Sequence, residues 1–381
     1  MAPVEIRPVR SRAELAAFVD LPWRLYRGDP NWVPPLRSSV RELLDPARHP
    51  FYGGGSSAQR ELFLAWENRR PVGRIAAILN HAHNRFHGEN VGFFGFFECE
   101  GRQDAASGLL RAASEWVGRF GLSAIRGPVN PSTNYECGLL VKGFDGPPVI
   151  MMTYNPPYYE GLLEAFGLGK VKDLYAYWSP VHGGHLERLE RANERVRRRE
   201  PGLTTRGANL KEFRNEVRTG QEIYNSAWEK NWGFIPMSEG EIEWMARELR
   251  PLVQPDLLRF AYMDGEPAGF LLALPDWNPV LAQLDGSPWK HPLRVARIML
   301  TVKPEKMQGL RLITMGVKEK FRRRGIEGVL FAEGLRTALD IGYQWCEYSW
   351  ILEDNELAKR TVRVMDAELY RIYRIFEKRL A

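Results

Sequence analysis

The chain has 381 residues, 44% apolar and 26% charged, with a formal net charge of +6 and a pI near 9.1. That length suits two ordinary domains rather than one, the composition excludes a disordered chain, and the modest basic excess suits an anionic ligand, a polynucleotide or an anionic surface without choosing among them. Cys99, Cys137 and Cys346 form no CxxC pair, which excludes a zinc ribbon and a disulfide framework and fits a reducing compartment; with no apolar leader and no spanning-length apolar run, the expectation is a cytoplasmic protein with at most peripheral membrane contact.

In chain order, an amphipathic helical stretch precedes Asn31-Trp32 and Pro34. A hairpin follows, with Leu64-Ala65-Trp66, a charged turn at 67–70, then Pro71 and Gly73. Residues 108–121 read as a helix ending at glycine. A polar loop covers 127–138, and Asn155 opens a helix leading to Leu174-Tyr175. A long charged helix, 185–199, runs to Pro201-Gly202; its arginines Arg195, Arg197, Arg198 and Arg199 read as a solvated helix end, and no nucleic-acid partner is expected.

The same order then recurs. Asn231-Trp232 with Pro236 repeats Asn31-Trp32 with Pro34. Phe260-Ala261-Tyr262 with Pro267 and Gly269 repeats the first hairpin at a constant offset of 196 positions. Residues 328–342 form the second glycine-ended helix, and Asn355 opens a helix leading to Leu369-Tyr370. The second copy carries an insertion of roughly 25 residues, placed within 276–307. The expected organisation is an α/β mixed-sheet protein of two fused copies, 1–180 and 206–381, joined by a helical linker at 181–205.

The chemistry is most legible at 313–330, a strand, a basic turn and a helix. A helix N-terminus presents unpaired N–H groups and partial positive charge, so it binds phosphate. Arg322, Arg323 and Arg324 just before it can grip phosphate oxygens, and Gly325 lets the backbone come close. This stretch resembles the pyrophosphate-binding motif of the GNAT (Gcn5-related N-acetyltransferase-like) fold, with Val317, Phe321, Arg322, Gly325 and Ile326 at matching positions. Glu327 stands where that family has glycine or alanine, and Gly328 follows one place later. The resemblance implies an acyl-CoA co-substrate held by Met315, Val317, Arg322, Arg323, Arg324, Gly325, Ile326, Gly328 and Asn355. It also implies that the pantetheine arm lies between strands at 311–317 and 344–350.

Asn355 and Ala358 fit the family's Asn-x-x-Ala signature; Asn355 is equally a helix N-cap. The tyrosine that often serves as thiolate acid is replaced by Val362. Tyr370 and Tyr373 lie on a predicted last strand at 367–378, where Tyr370, Ile372 and Phe376 share one face. Asn355 and Tyr370 are therefore the catalytic candidates.

The first copy has lost the arginine cluster: its equivalent turn, 100–108, carries acids instead, so acyl-CoA is not expected there. Asn130, Asn134 and Glu136 in its long polar loop, with Tyr154, Tyr158 and Tyr159, could equally line an amphiphilic pocket or serve turn formation; with Trp232 they are the substrate-binding candidates. His83-x-x-x-His87 has metal spacing but no third ligand, so a surface or loop role is favoured and no metal is expected. Stretches 92–98 and 130–159 resemble a bacterial group of tandem GNAT-like acyltransferases, some linked to ceramide synthesis. That implies N-acyl transfer from acyl-CoA to an amine, such as a long-chain amphiphilic or sphingoid-type base. A tRNA-dependent aminoacyl transferase of the peptidoglycan-bridge type and a non-catalytic binding protein are the alternatives. The sequence is silent on oligomeric state.

Overall fold

The structure is a computed structural model describing residues 3–53, 58–288, 292–303 and 307–380. Its elements in chain order are β1 (Glu5–Pro8), α1 (Arg12–Leu25), α2 (Arg37–Leu43), β2 (Gln59–Glu67), β3 (Arg70–Leu79), α3 (His81–His87), β4 (Val91–Cys99), α4 (Gln103–Gly118), β5 (Ala124–Gly127), β6 (Val129–Asn130), β7 (Glu136–Cys137), β8 (Leu139–Lys142), α5 (Tyr159–Ala165) and β9 (Gly169–Pro180). There follow α6 (Gly183–Arg199), β10 (Leu203–Gly207), α7 (Phe213–Trp228), α8 (Glu239–Leu249), β11 (Leu258–Met263), β12 (Glu266–Pro275), α9 (Asn278–Leu284), α10 (Pro292–Thr301), β13 (Gly309–Val317), α11 (Ile326–Ile341), β14 (Trp345–Leu352), α12 (Glu356–Arg363) and β15 (Glu368–Arg379).

The chain divides into two compact units. One comprises Met1–Leu174, Asn278–Val295 and Arg371–Ala381; the other comprises Tyr175–Trp277 and Ala296–Tyr370. In the first, β1, β2, β3, β4 and β5 follow one another, antiparallel until β4 and β5 run parallel, and the C-terminal part of β15 pairs antiparallel with β5 and β8. In the second, β10 to β13 form an antiparallel meander and β14 pairs parallel to β13.

The internal repeat is visible residue by residue. In the first hairpin Ala65 faces Gly73 and Trp66 faces Pro71, with a bulge between Ala65 and Trp66. In the second, Ala261 faces Gly269 and Tyr262 faces Pro267, with a bulge between Ala261 and Tyr262. Proline has no N–H to donate to a ladder, so it is accommodated where pairing slips by one residue. Each helix that makes a parallel crossover presents its apolar stripe to the sheet: Ala105, Leu109, Ala113 and Val117 of α4, and Ile326, Leu330 and Ala338 of α11, are all buried.

Two local readings change. Asn155 does not open a helix: its Oδ1 accepts from Leu140 N at 2.7 Å and its Nδ2 donates to Leu140 O at 3.1 Å, mimicking a paired strand, and α5 starts later, at Tyr159. The insertion at 276–307 holds α9 and α10, and its Asn278–Val295 segment packs as part of the first unit. There Asn278 Nδ2 donates to Pro148 O at 2.6 Å, while Trp23 Nε1 and Arg37 Nη1 donate to Asp285 O at 3.1 and 2.8 Å.

Candidate active site

In the second unit, β13 and β14 pair from Gly309–Trp345 to Leu312–Tyr348, and the pairing then stops although both strands continue. On its other side β13 slips past β12 at Ile313, where the register moves from Ala273–Leu312 to Leu272–Thr314. A bulge adds local twist and kinks the strand, so β13 diverges from β14. Ile313, Thr314, Met315 and Gly316 are left half-buried where the β13–β14 ladder has ended and a gap between the strands begins. Thr314 Oγ1 is buried there without a hydrogen-bond partner.

The basic turn lies beyond the open end of β13. Gly325 caps α11 in the left-handed region, at φ 87°, and no side chain caps the helix. Its first-turn N–H groups therefore remain available to a ligand. A Cβ at Gly325 would meet Val196 Cγ2 at 2.6 Å, so α6 presses on this position and only glycine fits. The three arginines separate into different roles. Arg322 is spent on the backbone: Nη2 donates to Ala227 O at 2.7 Å and Nε to Val317 O at 3.3 Å, tying the end of α7 to the end of β13. Arg324 faces Glu200 at 3.6 Å. Arg323 is exposed and makes neither hydrogen bond nor ion pair among the described residues. Val317 and Ile326 are buried, and Gly328 O accepts from Asn193 Nδ2 at 3.0 Å. An uncapped helix, a glycine cradle, a free guanidinium and an orphaned hydroxyl on the open strand together fit a pyrophosphate with a polar arm.

At the apex of the gap sits a buried polar cluster, of which the sequence singled out only Tyr370; Arg311, Glu347 and Ser349 went unnamed. Arg311 and Glu347 are paired in register one residue before the β13–β14 ladder ends, and both are buried, at 4% and 0% exposure. Arg311 Nε donates to Ser349 Oγ at 2.9 Å, Ser349 Oγ donates to Glu347, and Tyr370 Oη donates to the other Glu347 oxygen. Alternation decides the face. Leu310, Leu312, Cys346 and Tyr348 line an apolar cavity of about 40 Å³ against Phe331, Leu335 and Ala338 of α11. Arg311 and Glu347, one residue away on each strand, therefore point to the opposite face. The available signal was the single charge in each of two apolar strands, GLRLITMGV and WCEYSWIL. Asn355 lies outside this cluster. Its Oδ1 accepts from Ala358 N at 3.1 Å, so it caps α12, and Val362 is buried in that helix. Trp232 follows α7, half-buried.

The first unit treats the same elements differently. β4 and β5 pair only at 91–93 with 124–126, but the chain after β5 hugs β4 instead of diverging. A Cβ on Gly127 would strike Phe94 O at 2.2 Å, and one on Gly95 would strike Val129 O at 1.7 Å. Asn130 is consumed here: its Oδ1 accepts from Phe96 N at 2.7 Å. The N-terminus of α4 is occupied by its own side chains, with Asp104 Oδ1 accepting from Ala105 N at 2.9 Å and Arg102 bonded to Asp104 and Glu67. The ring of Tyr158 lies over Gly101 while its hydroxyl donates to Cys99 O at 2.9 Å.

Tyr159 is corrected from pocket to core. It is fully buried, donates to Glu98 Oε2 at 2.8 Å and accepts from Cys99 N at 2.8 Å. Tyr26 donates to the same carboxylate oxygen at 2.7 Å, and Arg74 stands 3.6 Å away. Burial raises the Glu98 carboxyl despite Arg74, and lifts both phenols further above their usual range. Of the remaining candidates, Tyr154 donates to Asp29 at 2.9 Å, Asn130 pairs with Glu136 in the β6–β7 ladder, and Asn134 and Glu136 stay at least partly exposed.

His83 departs from the surface or loop role expected of it: it is buried within α3 and is structural. It is 2% exposed, with Nε2 2.8 Å from Glu89 Oε2. Burial outweighs the carboxylate and lowers its pKa from 6.5 to about 4. The unfolded chain therefore takes up this proton before the folded one does. The stability tied to a neutral His83 is complete above pH 6.5 and drains as pH falls toward 4. The expected loss is about 3 kcal/mol. Urea unfolding across this range should show a shallower pH dependence for His83→Gln than for the unaltered chain; equal slopes would assign the acid sensitivity elsewhere.

No family model matches the chain. It is 35% identical over 385 residues to the bacterial ceramide synthase of Caulobacter vibrioides (strain NA1000 / CB15N), covering 100% of this chain and 98% of that protein. It is 32% identical over 390 residues to protein YghO of Escherichia coli (strain K12), covering 98% and 95%. Among solved structures, a tandem GNAT protein from the clavulanic acid biosynthesis pathway superposes with a TM-score of 0.55 at 13% identity, covering 99% of this chain and 98% of that one. A GCN5-related N-acetyltransferase from Sphaerobacter thermophilus superposes at 0.51 and 14% identity, covering 100% and 97%. At such identities these structures speak to the fold alone.

Proposed function

Because the chain belongs to the tandem GNAT-like acyltransferase family of the bacterial ceramide synthase, we propose that it moves an acyl group from acyl-CoA to an amine, with the reaction centred in the second copy. The observation that carries this reading is the contrast between the two gaps. β13 and β14 part at Leu312 and Tyr348 and leave a strand wall with an unpartnered hydroxyl, whereas the first copy fills the same place with residues 127–130. The pyrophosphate is assigned to the N–H groups opening α11 and to Arg323, and the pantetheine to the wall formed by residues 313–316. The thioester then reaches the apex beside Tyr370. The 35% identity to a ceramide synthase supports a long-chain, sphingoid-type amine and a fatty acyl donor.

The chemistry needs positioning and a path for one proton. The amine nitrogen attacks the thioester carbonyl carbon, forming the C–N bond, and the C–S bond breaks. The proton lost by nitrogen passes through the Tyr370 hydroxyl to Glu347, and water carries that proton on from Glu347 to the departing sulfur, which leaves Glu347 ionised again. Arg311 and Ser349 hold the carboxylate in place for this.

Calorimetry with acetyl-CoA and palmitoyl-CoA, followed by thiol release with a long-chain and a short amine, tests the reading. Saturable acyl-CoA binding and faster turnover of the long amine are expected; no binding of either thioester would overturn it. Arg323→Ala should raise the acyl-CoA KM roughly three- to tenfold with kcat nearly unchanged, because its guanidinium meets the phosphates and not the reacting atoms.

A further inference from the structure

One element serves neither the gap nor the polar cluster. The helix α10, Pro292–Thr301, lies in the insertion that the first copy lacks. Leu293 and Leu300 on it are 87% and 83% exposed; the next most exposed large apolar side chain among the described residues, Leu357, is 63%. Seven residues are two helical turns, so Leu293 and Leu300 share one side, with exposed Ala296 between them. Val295, Ile298 and Val302, at the same spacing, form a half-buried inner stripe. The helix is thus apolar on its outer as well as its inner side. A helix resting on a soluble core normally turns a polar side outward, and ten residues have little helical stability of their own to justify the exposure.

The charge around the outer stripe indicates what covers it. Residues 292–303 contain Arg294, Arg297 and Lys303 and no acid. Arg297 and Lys303 are exposed, and Arg297 lies one turn from each leucine. Apolar anchors flanked by cations are the pattern of a helix lying in the headgroup layer of an anionic bilayer, with leucines reaching the acyl boundary and arginines at the phosphates. A protein partner would more often leave mixed charges at the rim.

We propose that α10 is an interfacial helix that seats the protein on an anionic lipid surface. The proposal goes beyond the acyl-transfer reading and does not depend on it, although a lipid amine acceptor would be drawn from such a surface.

Sedimentation of the full-length protein with phosphatidylcholine vesicles, with and without phosphatidylglycerol, tests it. Binding to the phosphatidylglycerol vesicles, weakened by salt, is expected. Leu293→Ser/Leu300→Ser should reduce partitioning about tenfold or more, and Arg297→Ala should reduce it less, only at low salt. Both leucines are exposed, so thermal unfolding of the variant should match the parent. Calorimetric binding of acetyl-CoA without vesicles should also be unchanged, which separates this result from the acyl-transfer reading. Failure of the parent protein to bind phosphatidylglycerol vesicles would overturn the proposal without any variant. Equal partitioning of the leucine variant would overturn it too, as would light scattering showing that the leucines hold two copies together in solution.

Discussion

Tyr370→Phe is expected to lower kcat about a hundredfold or more while leaving acyl-CoA affinity within a few-fold. The hydroxyl donates to Glu347, which is fully buried at the apex of the gap and bonded on its other oxygen to Ser349. Deleting one oxygen leaves the ring, Arg311 and Ser349 in place, so the cost in stability should be near 1 kcal/mol. Glu347→Gln keeps the shape and removes the proton acceptor; kcat should fall by about 10² to 10⁴. Alanine is the wrong choice there, since it would also leave the Ser349 and Tyr370 hydroxyls without their carboxylate acceptor and open a void in the cluster. A purely structural cluster predicts something different: lower thermal midpoints and an unchanged kcat per folded molecule. Single-turnover rates measured beside the unfolding midpoint distinguish the two, and an unchanged rate in both variants would remove Tyr370 and Glu347 from the proton path.

What could be read from the residues was whatever obeys a local rule. The two hairpins announced themselves because Pro71 and Pro267 must sit at a slip in the ladder, and the slip is present in both. The second glycine-ended helix was legible because Gly342, at φ 98°, closes α11 in a conformation that other residues rarely adopt. The phosphate turn was legible as a place but not as a set of roles. Three adjacent arginines look alike in a sequence, and only the fold shows that Arg322 holds two carbonyls while Arg323 stays free.

Long-range pairings were not legible. Arg311 and Glu347 are 36 positions apart and read as isolated charges until β13 and β14 align them. Tyr159 and Tyr26 looked like ligand-facing aromatics, or went unremarked, because nothing near them in sequence reveals that Glu98 waits in the core. The same limit hid the place of the last strand. Its alternation predicts a strand at 367–378, but period two does not say which strand it joins, and Ile372–Arg379 pairs with β5 and β8 of the first unit. On that strand the buried side includes Arg371, Tyr373 and Ile375. Arg371 donates to Gly143 O and Gly146 O at 3.0 and 2.8 Å, holding a loop more than two hundred residues away.

Gly325→Ala should weaken acyl-CoA binding roughly a hundredfold, since displacing the N–H groups that grip the ligand by even an ångström is costly. Two separable strains act. The left-handed φ of 87° costs an L-residue about 1–2 kcal/mol, and the new methyl would sit 2.6 Å from Val196 Cγ2. Val196→Ala relieves the second strain and not the first, so the pair forms a double-mutant cycle. If the double variant regains most of the affinity, packing of α6 against the turn sets the cradle. If it binds no better than Gly325→Ala, the backbone conformation itself is what aims the N–H groups. Unimpaired acyl-CoA binding by Gly325→Ala would mean that the phosphates are held elsewhere, and with them the reason for placing the reaction in the second copy would fall.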